Sequence, residues 1–269
     1  KANPHFDVFM NKEEVKRQAS DASRMPSRES SYRNLILNQR VEARSPFVSR
    51  GVWESNGDDP GDMSGKVSAG LDLSSRTDLT AFVISRRNLD GTLSVWPHFW
   101  APENGIHDRS KTDRVPYDLW AEQGFLHTTP GSTVDYAFVA KEIAIILQHV
   151  DVDYISYDRW RIDLLKKEFD AIGLNLPLEP FGQGFKDMGP ALEALEADLL
   201  NNRIQHGDHP ILNMCAANAI ATKDPAGSRK LDKSKTTGRI DGLVALAMAY
   251  GTATTKEPEA LPTPRLSFI

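Results

Sequence analysis

Three aspartates stand out by their surroundings. Asp72 ends the run Val67-Ser68-Ala69-Gly70-Leu71, and Asp158 closes Val152-Asp153-Tyr154-Ile155-Ser156-Tyr157. Asp241 opens Gly242-Leu243-Val244-Ala245-Leu246-Ala247-Met248-Ala249-Tyr250. A carboxylate among apolar neighbours is costly to bury unless it is paired or ligates a metal. Three of them in one crevice would repel and raise one another's pKa values, and divalent cations relieve that repulsion. All-oxygen donors favour magnesium or manganese. Two such ions bridged by a shared carboxylate activate a water and stabilise the leaving oxygen in phosphodiester hydrolysis. Each acid alone has a plainer role, Asp241 as a helix cap and the nearby Asp78 as turn chemistry; the combination carries the argument. Gly242 leaves room beside Asp241 for close approach of backbone or substrate.

The elements that must position these acids follow from periodicity. Strands are expected at about 67–73, 79–87 and 92–100, the last two joined through the turn Asn88-Leu89-Asp90-Gly91. A polar loop is expected over 101–113, a helix over 115–123 and an extended piece at 125–128. Val134, Phe138, Val139, Ile143, Ile146, Leu147 and Val150 recur at helical spacing, so 134–150 reads as a helix. A strand at 153–158, a helix at 160–173 stopped by Gly173, a strand at 177–181, a helix at 188–201 and a short strand at 203–206 follow. A helix near 209–221, a basic loop and a last helix over 240–251 complete the body. Early strands joined by short turns, then alternating helices and strands, predict an α/β fold with a mixed central sheet and helices on both faces.

Residues 1–65 have a different texture. Lys12 to Ser23 is helix-compatible, Ser27 suits a helix cap, and Asn56-Gly57-Asp58-Asp59-Pro60-Gly61-Asp62 is a breaker-rich acidic loop. Too apolar-poor to fold alone, the segment is expected to be a linker or the tail of a missing upstream domain, packed on the body. The tail from Lys256 is Pro-rich and expected to be disordered or lightly docked.

The bulk numbers bound the rest. The 269 residues suffice for one large domain with a real core, and 40% hydrophobic with 26% charged residues is ordinary for a globular chain. No apolar run is long enough to span a bilayer. The single Cys215 excludes an intrachain disulfide and a cysteine-based zinc site. A net charge of −5 argues against coating nucleic acid by charge alone, but clustered acids that bind cations leave a nuclease open. Basic residues gather at Arg159, Arg161, Lys166 and Lys167, and again at Arg229, Lys230, Lys233, Lys235 and Arg239. His206 and His209 flank a turn and are read as turn residues, and Trp96, Trp100 and Trp120 as core or loop anchors.

The order of acids is that of the RNase H-like nuclease fold, and the chain resembles the nuclease domain of tailed-bacteriophage terminase large subunits. The residues that carry the resemblance are Gly70-Leu71-Asp72-Leu73-Ser74 with Asp78-Leu79-Thr80-Ala81, then Tyr157-Asp158-Arg159-Trp160 and Gly182-Gln183-Gly184-Phe185 with Met188. Further matches are Leu192-Glu193, Leu199, His209-Pro210-Ile211-Leu212 with Met214 and Asn218, and Lys235 with Arg239-Ile240-Asp241-Gly242. The resemblance implies that Asp72, Asp158 and Asp241 are the catalytic acids and ligands of two Mg2+ or Mn2+ ions, with Asp78 an outer ligand or a turn-former. It leaves Arg159, Gln183, Lys230 and Lys235 as candidate DNA contacts, the lysines having a solvated loop as the alternative. It implies residues 1–65 as the linker after a packaging ATPase, 66–252 as the nuclease domain and 253–269 as a tail. The implied activity is cutting of concatemeric double-stranded viral DNA in the cytoplasm of an infected bacterium. Portal protein and small terminase subunit are the implied partners. The complete motor would form rings on the portal, and the nuclease part alone would be a monomer.

No G-x-x-x-x-G-K-[ST] phosphate loop occurs, and Gly61-Asp62-Met63-Ser64-Gly65-Lys66 has the wrong spacing, so no ATPase activity is expected of these residues. Competing possibilities are a resolvase- or transposase-type enzyme, a sugar-kinase-like ATPase, for which Leu73-Ser74-Ser75-Arg76 supplies no glycine-rich turn, and a non-catalytic module docking on DNA or portal.

Overall fold

A computed structural model describes residues 11–25, 28, 32–33, 35–37, 46–73, 78–159, 162–236 and 238–255. The expected Ser27 cap and the Pro-rich tail from Lys256 lie outside the described residues. Two helices precede the sheet: α1 (Lys12–Arg24), capped by the Asn11 side chain, and the short α2 (Arg50–Glu54). The body then runs β1 (Lys66–Asp72), β2 (Thr80–Arg87), β3 (Leu93–Pro102), α3 (Ile106–Asp113), α4 (Tyr117–Glu122) and β4 (His127–Thr129). It continues through α5 (Tyr136–Ile146), β5 (Asp151–Tyr157), α6 (Ile162–Ala171), β6 (Leu178–Pro180), α7 (Phe185–Leu200) and β7 (Ile204–Gln205). Last come α8 (Pro210–Asn218), the hairpin strands β8 (Ala221–Lys223) and β9 (Arg229–Leu231), and α9 (Asp241–Thr255).

The central sheet has the order β4-β3-β2-β1-β5-β6, with β7 pairing β3 beside the main path. β1, β2 and β3 are antiparallel neighbours, whereas β5 and β6 run parallel to β1. This is the mixed α/β arrangement implied by the sequence. Strand alternation assigns each face its helices. Leu71, Phe82, Ile84 and Trp100 pack with Val139 and Ile143 of α5 and Leu165 and Phe169 of α6. Ala81, Val83, Val95 and Phe99 pack with Leu192 and Leu195 of α7, Ile211 and Leu212 of α8, and Leu243 and Leu246 of α9. α9 is buried nearly all round, which accounts for its run of small and apolar residues without a polar stripe.

Phe47, Val48 and Trp53 belong to the second of these cores, so the segment before β1 packs into the same body from residue 46 onward. The Trp53 indole donates to Asn213 Oδ1 at 2.7 Å, and Asn56 Nδ2 donates to the Leu199 carbonyl at 2.9 Å. His206 stacks on Trp53 with ring centroids 4.2 Å apart and bonds the Trp53 carbonyl through Nε2 at 2.9 Å, a structural role consistent with a turn residue. Trp100 is core, and Trp96 Nε1 anchors the Gly61 carbonyl at 2.9 Å.

Two expectations need correction. The polar loop expected over 101–113 contains α3, which buries none of its residues and is bounded by left-handed Gly105 and Arg114; with no apolar stripe it leaves no periodic signal. The helix expected to reach 221 ends at Asn218, and the basic loop beyond it is built around the β8–β9 hairpin. Its three-residue strands are too short to show alternation.

Candidate active site

Strand register brings the first two acids together. β1 and β5 are parallel neighbours with Leu71 opposite Tyr157, so Asp72 and Asp158 leave the same end of adjacent strands. α9 crosses β1 on one face, and Gly70 permits the crossing: a Cβ there would overlap the Ala245 carbonyl and lie 2.9 Å from the Ala249 nitrogen. This contact sets the first turn of α9, and with it Asp241, beside the end of β1. Asp241 also sits where a helix dipole favours negative charge. The room left by Gly242 is taken by Phe99, whose ring would lie 2.7 Å from an added Cβ, and not by a ligand.

Asp72, Asp158, Asp241 and Asp78 line one cavity of about 300 Å³, together with Lys233 and Arg239. A larger cavity of about 480 Å³ lies beside α2, lined by Pro46, Val48, Trp53 and Met214. Its Arg50 and Glu54 pair with each other at 2.6 Å, and it gathers no comparable acids.

Lys233 sets the electrostatics of the acidic cavity. It stands two residues beyond β9, and its ammonium donates to Asp72 Oδ2 at 2.7 Å and to Asp241 Oδ1 at 3.1 Å. The side chain is part-exposed, with its ammonium between the two acids. On the other side, Gln183 Nε2 donates to Asp72 Oδ1 at 3.2 Å, so the Gly182-Gln183-Gly184 turn serves the acid directly. Asp72 is 2% exposed, and burial pushes its carboxyl up to about 7 against the opposing pull of Lys233; the nearby Asp241 charge raises it further. Burial disfavours the charged form of Lys233, but the two carboxylates outweigh it and hold the ammonium above its ordinary value.

The remaining candidates divide. Asp78 forms an ion pair with Arg239 at 2.7 Å, fastening the loop before Asp241 to the start of β2. Lys230 lies over the Phe185 ring at 5.1 Å, and Lys235 is exposed and 3.8 Å from Asp232. Arg159 is exposed immediately after Asp158. None of these three basic residues lines the cavity. Lys233 does line it, and nothing in its local context distinguishes it from Lys230 and Lys235; only the turn after β9 aims it inward. Cys215 is fully buried, with its thiol pushed up by burial, which removes it as a nucleophile.

The donor chemistry fits a hard divalent cation, because the acids supply only oxygen. Among the described residues, no three carboxylate, imidazole or thiolate side chains stand ready as a closed ligand set. A cation does stand between Asp72 and Asp241, and it is the Lys233 ammonium. The acids therefore suit a metal if Lys233 gives way.

Residues 1–257 match the family "Terminase large subunit, endonuclease domain". The chain is 55% identical to the terminase large subunit of Enterobacteria phage HK97 over 252 residues, covering 94% of this chain and 50% of that protein. It is 27% identical to protein YmfN of Escherichia coli strain K12, over 96% of this chain and 60% of that one. The crystal structure of the HK97 bacteriophage large terminase superposes with a TM-score of 0.75, covering 93% of this chain and 52% of that one. The chain thus spans about half the length of the HK97 protein and somewhat more of YmfN. With the mixed sheet, the acids at the ends of β1, β5 and the start of α9, and a family match running from residue 1 to 257, this chain belongs to the terminase large subunit endonuclease-domain family.

Proposed function

We propose that the cavity between β1, β5 and α9 hydrolyses phosphodiester bonds of double-stranded DNA, with Asp72, Asp158 and Asp241 holding two Mg2+ or Mn2+ ions. The observation that carries this reading is that three acids, separated by 86 and 83 residues along the chain, line one cavity. When bound, the ions supply an activated water and neutralise charge on the leaving oxygen. The protein's own residues do the positioning. Adjacent parallel strands fix the Asp72–Asp158 spacing, the Gly70 crossing fixes Asp241, and Gln183 orients Asp72 from behind. Asp78 acts through Arg239, holding the loop that closes the cavity, and is a positioning residue in this scheme. Arg159, Lys230 and Lys235 would meet phosphates outside the cavity, where contacts orient DNA without reading its sequence.

On this reading residues 66–252 form the catalytic unit, and residues 1–65 connect it to a packaging ATPase within a longer protein. That protein cuts concatemeric genomes in the host cytoplasm as packaging starts and ends, together with a portal protein and a small terminase subunit. Plasmid cleavage in the presence of Mn2+ tests the nuclease proposal. Asp158→Asn is expected to remove cutting by more than about 100-fold, beyond the usual effect of losing a residue that only supports a ligand, while leaving thermal stability intact. Cutting by that variant at the parent rate would refute the assignment.

A further inference from the structure

We propose that Lys233 is a tethered cation that competes with divalent metal for Asp72 and Asp241, so that metal loading requires its release. The inference rests on the metal-site assignment just made and adds a control element to it.

The geometry is specific. The ammonium makes two charge-assisted bonds, 2.7 Å to Asp72 and 3.1 Å to Asp241, within the cavity that these acids line. One lone-pair direction on each acid is thereby spent. Gln183 takes a further oxygen of Asp72, so little of that carboxylate remains for a metal while Lys233 stays in place. An ammonium and a metal ion cannot share this position, because like charges at a few ångströms repel strongly where water is excluded.

Lys233 is also built to leave. It sits in the turn Asp232-Lys233-Ser234-Lys235, which is anchored at its start by the Asp232 N–H donating to the Ile220 carbonyl at 2.9 Å and is otherwise held by local bonds: Asp232 accepts from the Ser234 nitrogen at 3.0 Å and from its hydroxyl, and Lys235 N–H bonds the Asp232 carbonyl at 3.2 Å. The lysine side chain is 45% exposed, so the head can swing outward without unpacking the core. Asp241 and Asp72, by contrast, are fixed by α9 and β1. Displacement would move the cation toward the mouth of the cavity, where DNA phosphates would arrive. A substrate that draws Lys233 away therefore favours metal entry, and metal entry frees Lys233 to meet the substrate. The two events are linked with the same sign.

Two measurements test this. Calorimetric titration with Mn2+ compares the parent protein with Lys233→Met and with Asp72→Asn. Lys233→Met is expected to bind Mn2+ about tenfold or more tightly, a coupling of ordinary allosteric size, while Asp72→Asn binds it weakly or not at all. Equal or weaker binding by Lys233→Met, with Asp72→Asn still impaired, would overturn the competition and leave the metal site standing. Absence of binding in both the parent and Lys233→Met would overturn both. The second measurement needs no variant: acetylation of Lys233 in the parent protein, followed by mass spectrometry with and without Mg2+. Its labelling is expected to rise several-fold on adding Mg2+ while that of Lys141 stays constant. Unchanged or reduced labelling would contradict release.

Discussion

Gly70 and Ala245 meet backbone to backbone: a Cβ on Gly70 would lie 2.8 Å from the Ala245 carbonyl carbon. This contact lets α9 lie on β1 closely enough for Asp241 to reach the level of Asp72. The clash is with main chain and cannot be relieved by turning a side chain. Gly70→Ala is therefore expected to cost about 3 kcal/mol, the upper end for overpacking, and to reduce cleavage even where the protein stays folded. Chemical denaturation and a cleavage assay on the same preparation check both effects.

The buried Asp72 sets a pH dependence whose sign is opposite to that of an ordinary salt-bridged acid. Its folded carboxyl, at about 7, lies above the unfolded value of 3.8. The folded protein therefore keeps a proton that the unfolded chain gives up. The stability this contributes is fully present below about pH 4 and is lost as pH rises toward 7. Asp72→Asn lacks that loss. Its stability relative to the parent is expected to improve as pH rises from 4 to 7.5, as measured by urea unfolding at both pH values. By the same linkage, divalent binding is expected to strengthen through pH 7 and to release a proton.

His98 and His209 act in the opposite direction over the same range. Burial lowers both rings to about 4, and the neighbouring His127 lowers them further. Their folded values lie below the ordinary 6.5, so the stability they contribute is present above pH 6.5 and lost as pH falls toward 4. His98 Nε2 and His209 Nδ1 are both buried without a hydrogen-bond partner. His98→Met is expected to flatten the acid limb of the stability profile, and thermal melts from pH 4 to 7 will register it.

The β8–β9 hairpin that carries Lys233 is held to α7 by Arg229, whose guanidinium lies 2.7 Å from Glu196. Both side chains are nearly covered, at 12% and 14% exposed. Removing one partner strands a buried charge, so Glu196→Ala is expected to cost about 3 kcal/mol or more. The paired change Glu196→Leu with Arg229→Met is expected to recover much of that loss. A double-mutant cycle by denaturant titration measures the coupling.

The acids and the core of the sheet could be read from the chain because β1 and β5 each pair an apolar run with an aspartate at its end. Asp72, Asp158 and Asp241 needed only that pattern and the helix after Ile240. Three things were hidden. α3 has no buried face and so no period. The β8–β9 strands are three residues each, too short to show alternation, and pack on α7 through Arg229 and Glu196. Lys233 resembles Lys230 and Lys235 until the turn after β9 fixes its direction. Local sequence reports which residues are apolar at which spacing; it does not report which of several lysines a tertiary turn will aim at a carboxylate.

The central claim is that Asp72, Asp158 and Asp241 ligate common metal ions. A crystal soaked in Mn2+ and measured for anomalous scattering tests it most directly. Metal ligation by all three acids predicts peaks within ordinary oxygen–metal bonding distance, about 2.1 Å for a small hard cation, of carboxylate oxygens from each of them, with Lys233 withdrawn. Manganese bound elsewhere, with Lys233 still between Asp72 and Asp241, would contradict it.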